Sequence, residues 1–468
     1  MKKILLSLSL ALSFNHAQAQ QVAQITPPRE PIPDVMGAIT TKNLQKFDDL
    51  KINLPVTRFV LANGMTVLLL EDHSIPMISY HTWYRVGSRH ESSGVTGAAH
   101  MLEHMMFKGS KKYDGNVFDK TLAENGITNN AFTTYDYTGF YQNLPANKLE
   151  LMMQLEVDRM SALLIRPEDL LSEKQVVAEE RRWRYENQPM GLVREALMGA
   201  LFKGSSYGWP VIGYMEDIQA YTSEKLRFFY DNYYGPNNAV LVLVGNFQTK
   251  DAKKLIEKYY GSLPVKQVPA DNFVTKKEIK GPRAEVIKHD VQNSSYLFAF
   301  PTVPQGHADM YALDLASVIL GGGSNSRLYK KAVYESQKAS SAYAYHYSLG
   351  RDGMFAVGVN MLPGQKVLAL DGIVKKEIEN MRQKMVSEQE LASAKTMVMK
   401  GFVDELTTMD GKARALATSE IVTGSYKNMF EDLDKYQKVT AMDILRVMEK
   451  YITPEGRVQV ELQPQKKK

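Results

Sequence analysis

Along this chain the spacing of hydrophobic positions switches between the period of a strand and that of a helix, and each switch marks an element. "TRFVLANGMTVLLLED" (57–72) holds two β-rich runs around Asn63-Gly64, the dipeptide best suited to the tight turn of a hairpin. "MISYHTWYRVGS" (77–88) continues as a further strand. From Val95 the pattern turns helical: Ala, Met, Leu and Glu dominate as far as Lys108, and Gly109 closes the helix. Upstream, residues 20–52 carry Pro27, Pro28, Pro31 and Pro33 and no sustained period, the mark of an extended arm.

A second break falls at 264–284, "PVKQVPADNFVTKKEIKGPRA", where proline, lysine and glycine read as a linker. The segments on either side are related. "TSEKLRFFYDNYYGPNNAVLV" (222–242) and "TAMDILRVMEKYITPEGRVQV" (440–460) align without a gap at an offset of 218, pairing Thr222 with Thr440, Tyr233 with Tyr451 and Pro236 with Pro454. Each copy is an amphipathic helix, a Pro-bearing turn and a strand, placed at the end of its half as a duplication would place it. The expected organisation is two homologous α+β domains, 53–263 and 285–468, each a mostly antiparallel sheet covered by helices. A chain of 468 residues is also too long for one ordinary core.

Composition narrows the classes. Lys2 and Lys3 precede an apolar run from Ile4 to Phe14, and Ala17-Gln18-Ala19 offers the small residues a signal peptidase requires. Residues 1–19 are therefore expected to be a cleaved secretory leader, and the mature chain to be periplasmic. No later apolar stretch is long enough to span a bilayer, so no membrane span is expected. The absence of cysteine removes disulfides, thiol nucleophiles and thiolate ligands, leaving His, Asp and Glu to hold any metal. Of the formal charge of +5, Lys2 and Lys3 leave with the leader, and no basic patch remains to suggest a nucleic-acid partner.

The chemistry concentrates in "GAAHMLEHMMFKGS" (97–110). On a helix, His100 and His104 project from one face roughly 6 Å apart and can grip one ion, while Glu103 points off that axis toward a water beside it. A surface pair is the ordinary explanation of two such histidines, but apolar neighbours place this helix inside, where both rings need partners. Catalytic zinc takes three protein ligands and keeps a fourth position open, so a downstream carboxylate is required. "SEKQVVAEERRWRYEN" (172–187) offers Glu173, Glu179 and Glu180; a solvated helix laced with pairs such as Glu180–Arg184 is the competing explanation, and spacing does not choose among the three.

His-x-x-Glu-His is the inverted zincin motif. With a glutamate 76 residues after the second histidine, the chain resembles the pitrilysin/insulinase family of zinc peptidases. The short two-domain form, as in mitochondrial processing peptidase subunits and bacterial relatives, is the nearest likeness. "GSRHE" (87–91), "NNAFTTYDYT" (129–138), "EKQVVAEE" (173–180), "YGWPVIG" (207–213), "GPNNAVLVLVGNF" (235–247) and "GGGSNSRLY" (321–329) follow in family order. The resemblance implies His100, His104 and Glu180 as ligands of one Zn2+ per chain, Glu103 as the general base acting on water, and Glu173 as support outside the ligand set. It implies that Asn130, Ala131 and Thr133 lie on an edge strand that pairs with substrate backbone.

The second half departs from the family. At the offset of 218, His100, Glu103 and His104 fall on Val318, Gly321 and Gly322. Where the family commonly places an Arg/Tyr pair that holds substrate, this chain has Val333 and Ser340, with Tyr343 and Tyr345 out of register. The resemblance therefore implies half of a clamshell: a heterodimer with a zinc-less paralogue supplying the pair, or otherwise a homodimer, enclosing a peptide substrate. A zinc endopeptidase is the leading expectation. A catalytically weak peptide-binding scaffold that retains the metal site is the alternative.

Overall fold

The computed structural model describes residues 52, 54–271, 273–274, 281 and 283–465. The expected leader at 1–19, nearly all of the arm at 20–52 and part of the linker at 264–284 lie outside these residues.

Strand β1 (Thr57–Val60) pairs antiparallel with β2 (Thr66–Glu71) through the expected Asn63-Gly64 turn. Gly64 takes φ +86°, open to a residue without Cβ, and the Leu61 N–H donates to the Met65 carbonyl at 3.0 Å. The Asn63 amide reaches past the turn to donate to the Tyr260 carbonyl at 2.7 Å, so the hairpin is pinned as well as closed. With β3 (Met77–Tyr84), β4 (Thr128–Thr133), β5 (Thr138–Pro145) and β6 (Ala239–Gly245), these strands form a six-stranded sheet in the order β1-β2-β6-β3-β5-β4.

The second sheet contains β7 (Arg283–His289), β8 (Ser295–Thr302), β9 (Ala339–Ser348), β10 (Gly353–Met361) and β11 (Val458–Pro464), in the order β7-β11-β8-β10-β9. Read β2 through β6 as β7 through β11, and the two orders coincide. Each sheet has one parallel pair, β2 with β6 and β7 with β11, and is otherwise antiparallel. The duplication glimpsed in one 21-residue match thus runs through the fold.

The inner faces of both sheets pack on helices of their own half. The outer faces do not. Val240, Val242 and Val244 of β6, with Leu68 and Leu70 of β2, are buried against Ala413, Leu416 and Ala417 of the Met409–Thr423 helix, which belongs to the second half. Leu297 and Ala299 of β8, with Val458 and Val460 of β11, are buried against Val193, Leu197 and Leu201 of the Pro189–Leu201 helix, which belongs to the first. Each half lends the other one helix. This is why "AVLVLVG" in β6 is unbroken and buried throughout: both of its faces are covered. Each buried Val or Leu contributes roughly 1.5–3 kcal/mol relative to exposure, so the exchange is a large share of what holds the halves together. Polar contacts fix its register: Arg58 donates to the buried Glu420 at 2.8 Å, and Lys412 meets Asp72 at 2.6 Å.

A second fastening lies at the linker. The Asp136 carboxylate accepts from Arg89 at 2.8 Å, from the Tyr207 hydroxyl at 2.6 Å and from the Gly350 N–H at 3.0 Å. Asp271, within the linker, bridges Arg89 of the first half at 2.7 Å and Arg351 of the second at 3.1 Å. No helix among the described residues is long and apolar enough to cross a membrane.

Candidate metal centre

The helix bearing the motif runs Ala98–Met105, shorter than the hydrophobic pattern at both ends. Its start is set by Gly97 at φ +85°, where a Cβ would come within 2.3 Å of the Ile212 carbonyl. The first turn donates two backbone N–H groups, those of Gly97 and Ala99, to the buried Glu91 carboxylate at 2.7 and 2.9 Å. It ends at Met105, where the Met106 N–H donates to the Leu102 carbonyl at 2.9 Å, and the chain turns away beyond, at Gly109 (φ +118°). Held at both ends, the helix presents His100 and His104 on one face with ring centroids 4.8 Å apart.

A second helix, Pro167–Arg181, crosses nearby and supplies both glutamates two turns apart. Glu180 reaches the pair: Oε1 lies 3.8 Å from His100 Nε2, and Oε2 lies 3.4 Å from His104 Nε2. One donor atom from each of His100, His104 and Glu180 falls within 4.8 Å of the other two. Donors on a tetrahedral zinc sit roughly 3.4 Å apart, so two imidazoles and a carboxylate at these separations fit such an ion. Glu180 Oε1 is buried without a hydrogen bond, although Arg184 Nε stands 2.8 Å away as an ion pair. The Glu180–Arg184 pair that a purely structural helix would show is therefore present, and the same carboxylate also serves the histidines. Glu179 faces outward instead, paired with Arg182.

Glu173 stands behind this cluster. Its Oε2 is 3.0 Å from His104 Nδ1, and its Oε1 meets Lys108 Nζ. A carboxylate at Nδ1 fixes the imidazole proton there and leaves Nε2 to face Glu180 and the rest of the cluster. Glu103, also buried, is not one of the clustered donors; it accepts a hydrogen bond from the Thr133 hydroxyl at 2.5 Å.

The electrostatics follow from burial and the crowd of carboxylates. Burial drops His100 to about 3, so this ring is neutral. Burial also opposes charge on His104, but the Glu173 and Glu180 carboxylates that face its two ring nitrogens outweigh it and lift the group to about 10. Burial works against the Glu180 carboxylate too, yet His100, His104 and Arg184 hold it down at about 2. Glu103 is raised to about 7, chiefly by burial. A glutamate poised near neutrality has the proton affinity a general base needs.

Asn130, Ala131 and Thr133 lie on β4, which pairs with β5 on one side and is the sheet edge on the other. Val333 packs into the second core, and Ser340 is an exposed hydroxyl donating to the Asn360 carbonyl at 3.2 Å. Tyr343 and Tyr345 stack on one another and pack with the Pro189–Leu201 helix. Sequence spacing did not point to Lys108 or to the Thr133–Glu103 contact. The only local signal was that Lys108 sits at the helix end, close to the second histidine.

Residues 66–214 match the family model described as Insulinase (Peptidase family M16), and residues 220–398 match Peptidase M16 inactive domain, together well over half of the chain. The chain belongs to the M16 (insulinase) peptidase family. Among its relatives, zinc protease PqqE of Helicobacter pylori is 29% identical over 409 residues, spanning 86% of this chain and 92% of the relative. Uncharacterized zinc protease YmxG of Bacillus subtilis is 26% identical over 400 residues, 82% of this chain and 92% of the relative. The crystal structure of a protease from Helicobacter pylori superposes with a TM-score of 0.84 at 27% identity, covering 88% of this chain and 100% of that one. A peptidase M16 inactive domain structure from Pseudomonas fluorescens shares the fold at 18% identity, with a TM-score of 0.81 over 88% of this chain and 98% of its own.

Proposed function

We propose that this M16 chain is a zinc endopeptidase acting on extended or unfolded peptides, with His100, His104 and Glu180 as ligands of one Zn2+ and Glu103 as general base. The observation that carries this reading is a junction. The only group of three metal-capable side chains among the described residues lies beside a glutamate raised to about 7, and that glutamate is hydrogen-bonded to the sheet's edge strand. When bound, zinc polarises the scissile carbonyl and makes water at the site more acidic. Substrate backbone adds to the free edge of β4 beside Asn130 and Ala131, bringing an amide up to Glu103. Glu103 takes the proton of the attacking water and returns it to the departing amine. Thr133 orients the Glu103 carboxylate, and Glu173 fixes the His104 tautomer.

The proposal extends to the setting: secretion to the periplasm, and pairing with a zinc-less paralogue that supplies an Arg/Tyr pair, or else with a second copy. A non-catalytic peptide-binding scaffold is the competing reading, and Val333 and Ser340 at the Arg/Tyr positions are what favour it. A quenched-peptide library, offered to the mature chain with and without a zinc-less M16 paralogue, separates the two. Glu103→Gln is expected to bind zinc normally and to lose roughly 10²–10⁴-fold in kcat/KM. Unchanged hydrolysis in E103Q would remove the mechanism, and no hydrolysis under either condition would leave the scaffold.

A further inference from the structure

Glu173 offers two oxygens, and only one of them is explained by His104. The other meets the ammonium of Lys108, whose side chain is 35% exposed while that of Glu173 is 5% exposed. Lys108 lies just beyond the Ala98–Met105 helix, so no helical spacing aims it there. Its backbone does. The Lys108 N–H donates to the Met105 carbonyl at 3.0 Å, and its own carbonyl accepts from Arg166 Nη2 at 3.1 Å. Gly109 then turns away at φ +118°, where a Cβ would stand 2.7 Å from the Gly115 nitrogen. Arg166 immediately precedes the Pro167–Arg181 helix, so the contact tying Lys108 down also ties it to the helix that carries Glu173 and Glu180.

We infer that Lys108 is a positioning residue of the centre: its ammonium holds the Glu173 carboxylate in the orientation that keeps the His104 proton on Nδ1 and Nε2 turned to the metal. The inference rests on the zinc reading above. A carboxylate held only by His104 is free to rotate about its last torsion, because terminal sp² groups have broad rotamer wells. A charge-assisted contact at the second oxygen removes that freedom. Residues that orient a metal-bound histidine in this way typically change metal affinity 10–100-fold when lost; Lys108 acts one contact further out, at the lower end of that range.

The test is the zinc affinity of the mature chain, measured by competition with a chromophoric chelator, beside the thermal midpoint of the metal-free protein. Lys108→Met is expected to weaken zinc about tenfold, and Lys108→Arg, which keeps the charge and a donor, to stay within about twofold of the parent. In a Glu173→Gln background, K108M is expected to add nothing further. A residue that merely tethers two helices would instead lower the metal-free midpoint and leave zinc affinity alone. K108M binding zinc within twofold of the parent overturns the inference, as does an equal loss in K108R. If K108M does not fold, K108Q takes its place with the same outcomes. A parent chain that binds no zinc removes the underlying reading as well, which distinguishes the two failures.

Discussion

The two halves of this chain share a sheet order over five strands, yet among the described residues only the first holds a metal-capable cluster, and the contrast lies in how closely a helix approaches an edge strand. In the first half, the Ala98–Met105 helix stands off from β4 far enough for the Glu103 side chain to bridge the gap and meet Thr133. In the second half, the Met310–Gly321 helix closes onto β9. A Cβ at Gly321, the counterpart of Glu103, would lie 2.0 Å from the Ala344 nitrogen. Val318, in place of His100, packs beside that core as an aliphatic residue. The second half has therefore done more than change three side chains: at Gly321, the counterpart of Glu103, the space a side chain would need is occupied by the backbone of β9. The fold is carried by the buried faces, and the chemistry by the width of one gap.

The comparison breaks most severely if the halves are separable. A fragment of residues 52–263 would expose Leu68, Leu70, Val240, Val242 and Val244, now covered by the other half's helix. At roughly 1.5–3 kcal/mol each, that loss approaches the whole stability of a typical domain, about 5–15 kcal/mol. The fragment is expected to show no cooperative thermal transition by circular dichroism until residues 283–468 are added in trans. A sharp transition from the fragment alone would mean that the exchanged helices are ornamental.

The closed gap is tested at Gly321. Gly321→Ala is expected to cost about 1–3 kcal/mol, the range for overpacking a filled site, read as a lowered denaturant midpoint. A neutral result would show that β9 can withdraw and that the second half could be opened into a site.

The smallest effect concerns the first half alone. Without metal His104 is held protonated, its pKa lifted to about 10 despite burial, whereas His100 at about 3 and Glu180 at about 2 are already in their ligating forms near neutrality. Binding zinc must therefore expel one proton from His104. Affinity is expected to rise about tenfold per pH unit between pH 7 and 9, or ~1.4 kcal/mol per unit, for the one proton lost from His104. Stoichiometry should stay at one zinc per chain throughout. A flat profile in equilibrium dialysis would mean that the His104 ion pairs do not persist in solution.

What could be read from sequence was local or periodic. The Asn63-Gly64 hairpin depends on four residues, and the His100–Glu103–His104 spacing on one helical turn, so both are visible in a string of letters. The duplication showed through because a Pro-bearing turn and its flanking helix and strand retained their spacing at 222–242 and 440–460. Glu180 could not be told from Glu173 or Glu179 by periodicity, because which carboxylate faces the histidines is decided by the crossing of two helices. Resemblance, rather than spacing, singled it out. Lys108 was invisible for the same reason: its partner is 65 residues away. The helix exchange leaves only an indirect trace, the uninterrupted apolar run of β6, which by itself says "buried on both sides" without naming the cover.

The bridge at Asp271 has a mechanical meaning. One carboxylate in the connecting segment grips an arginine from each half, and beside it Asp136 ties the first half to the backbone of Gly350. Together with the exchanged helices, these contacts brace one half against the other near the joint. On the function proposed above, opening a path to Glu103 by parting the two halves would first have to break these contacts and uncover the exchanged helices.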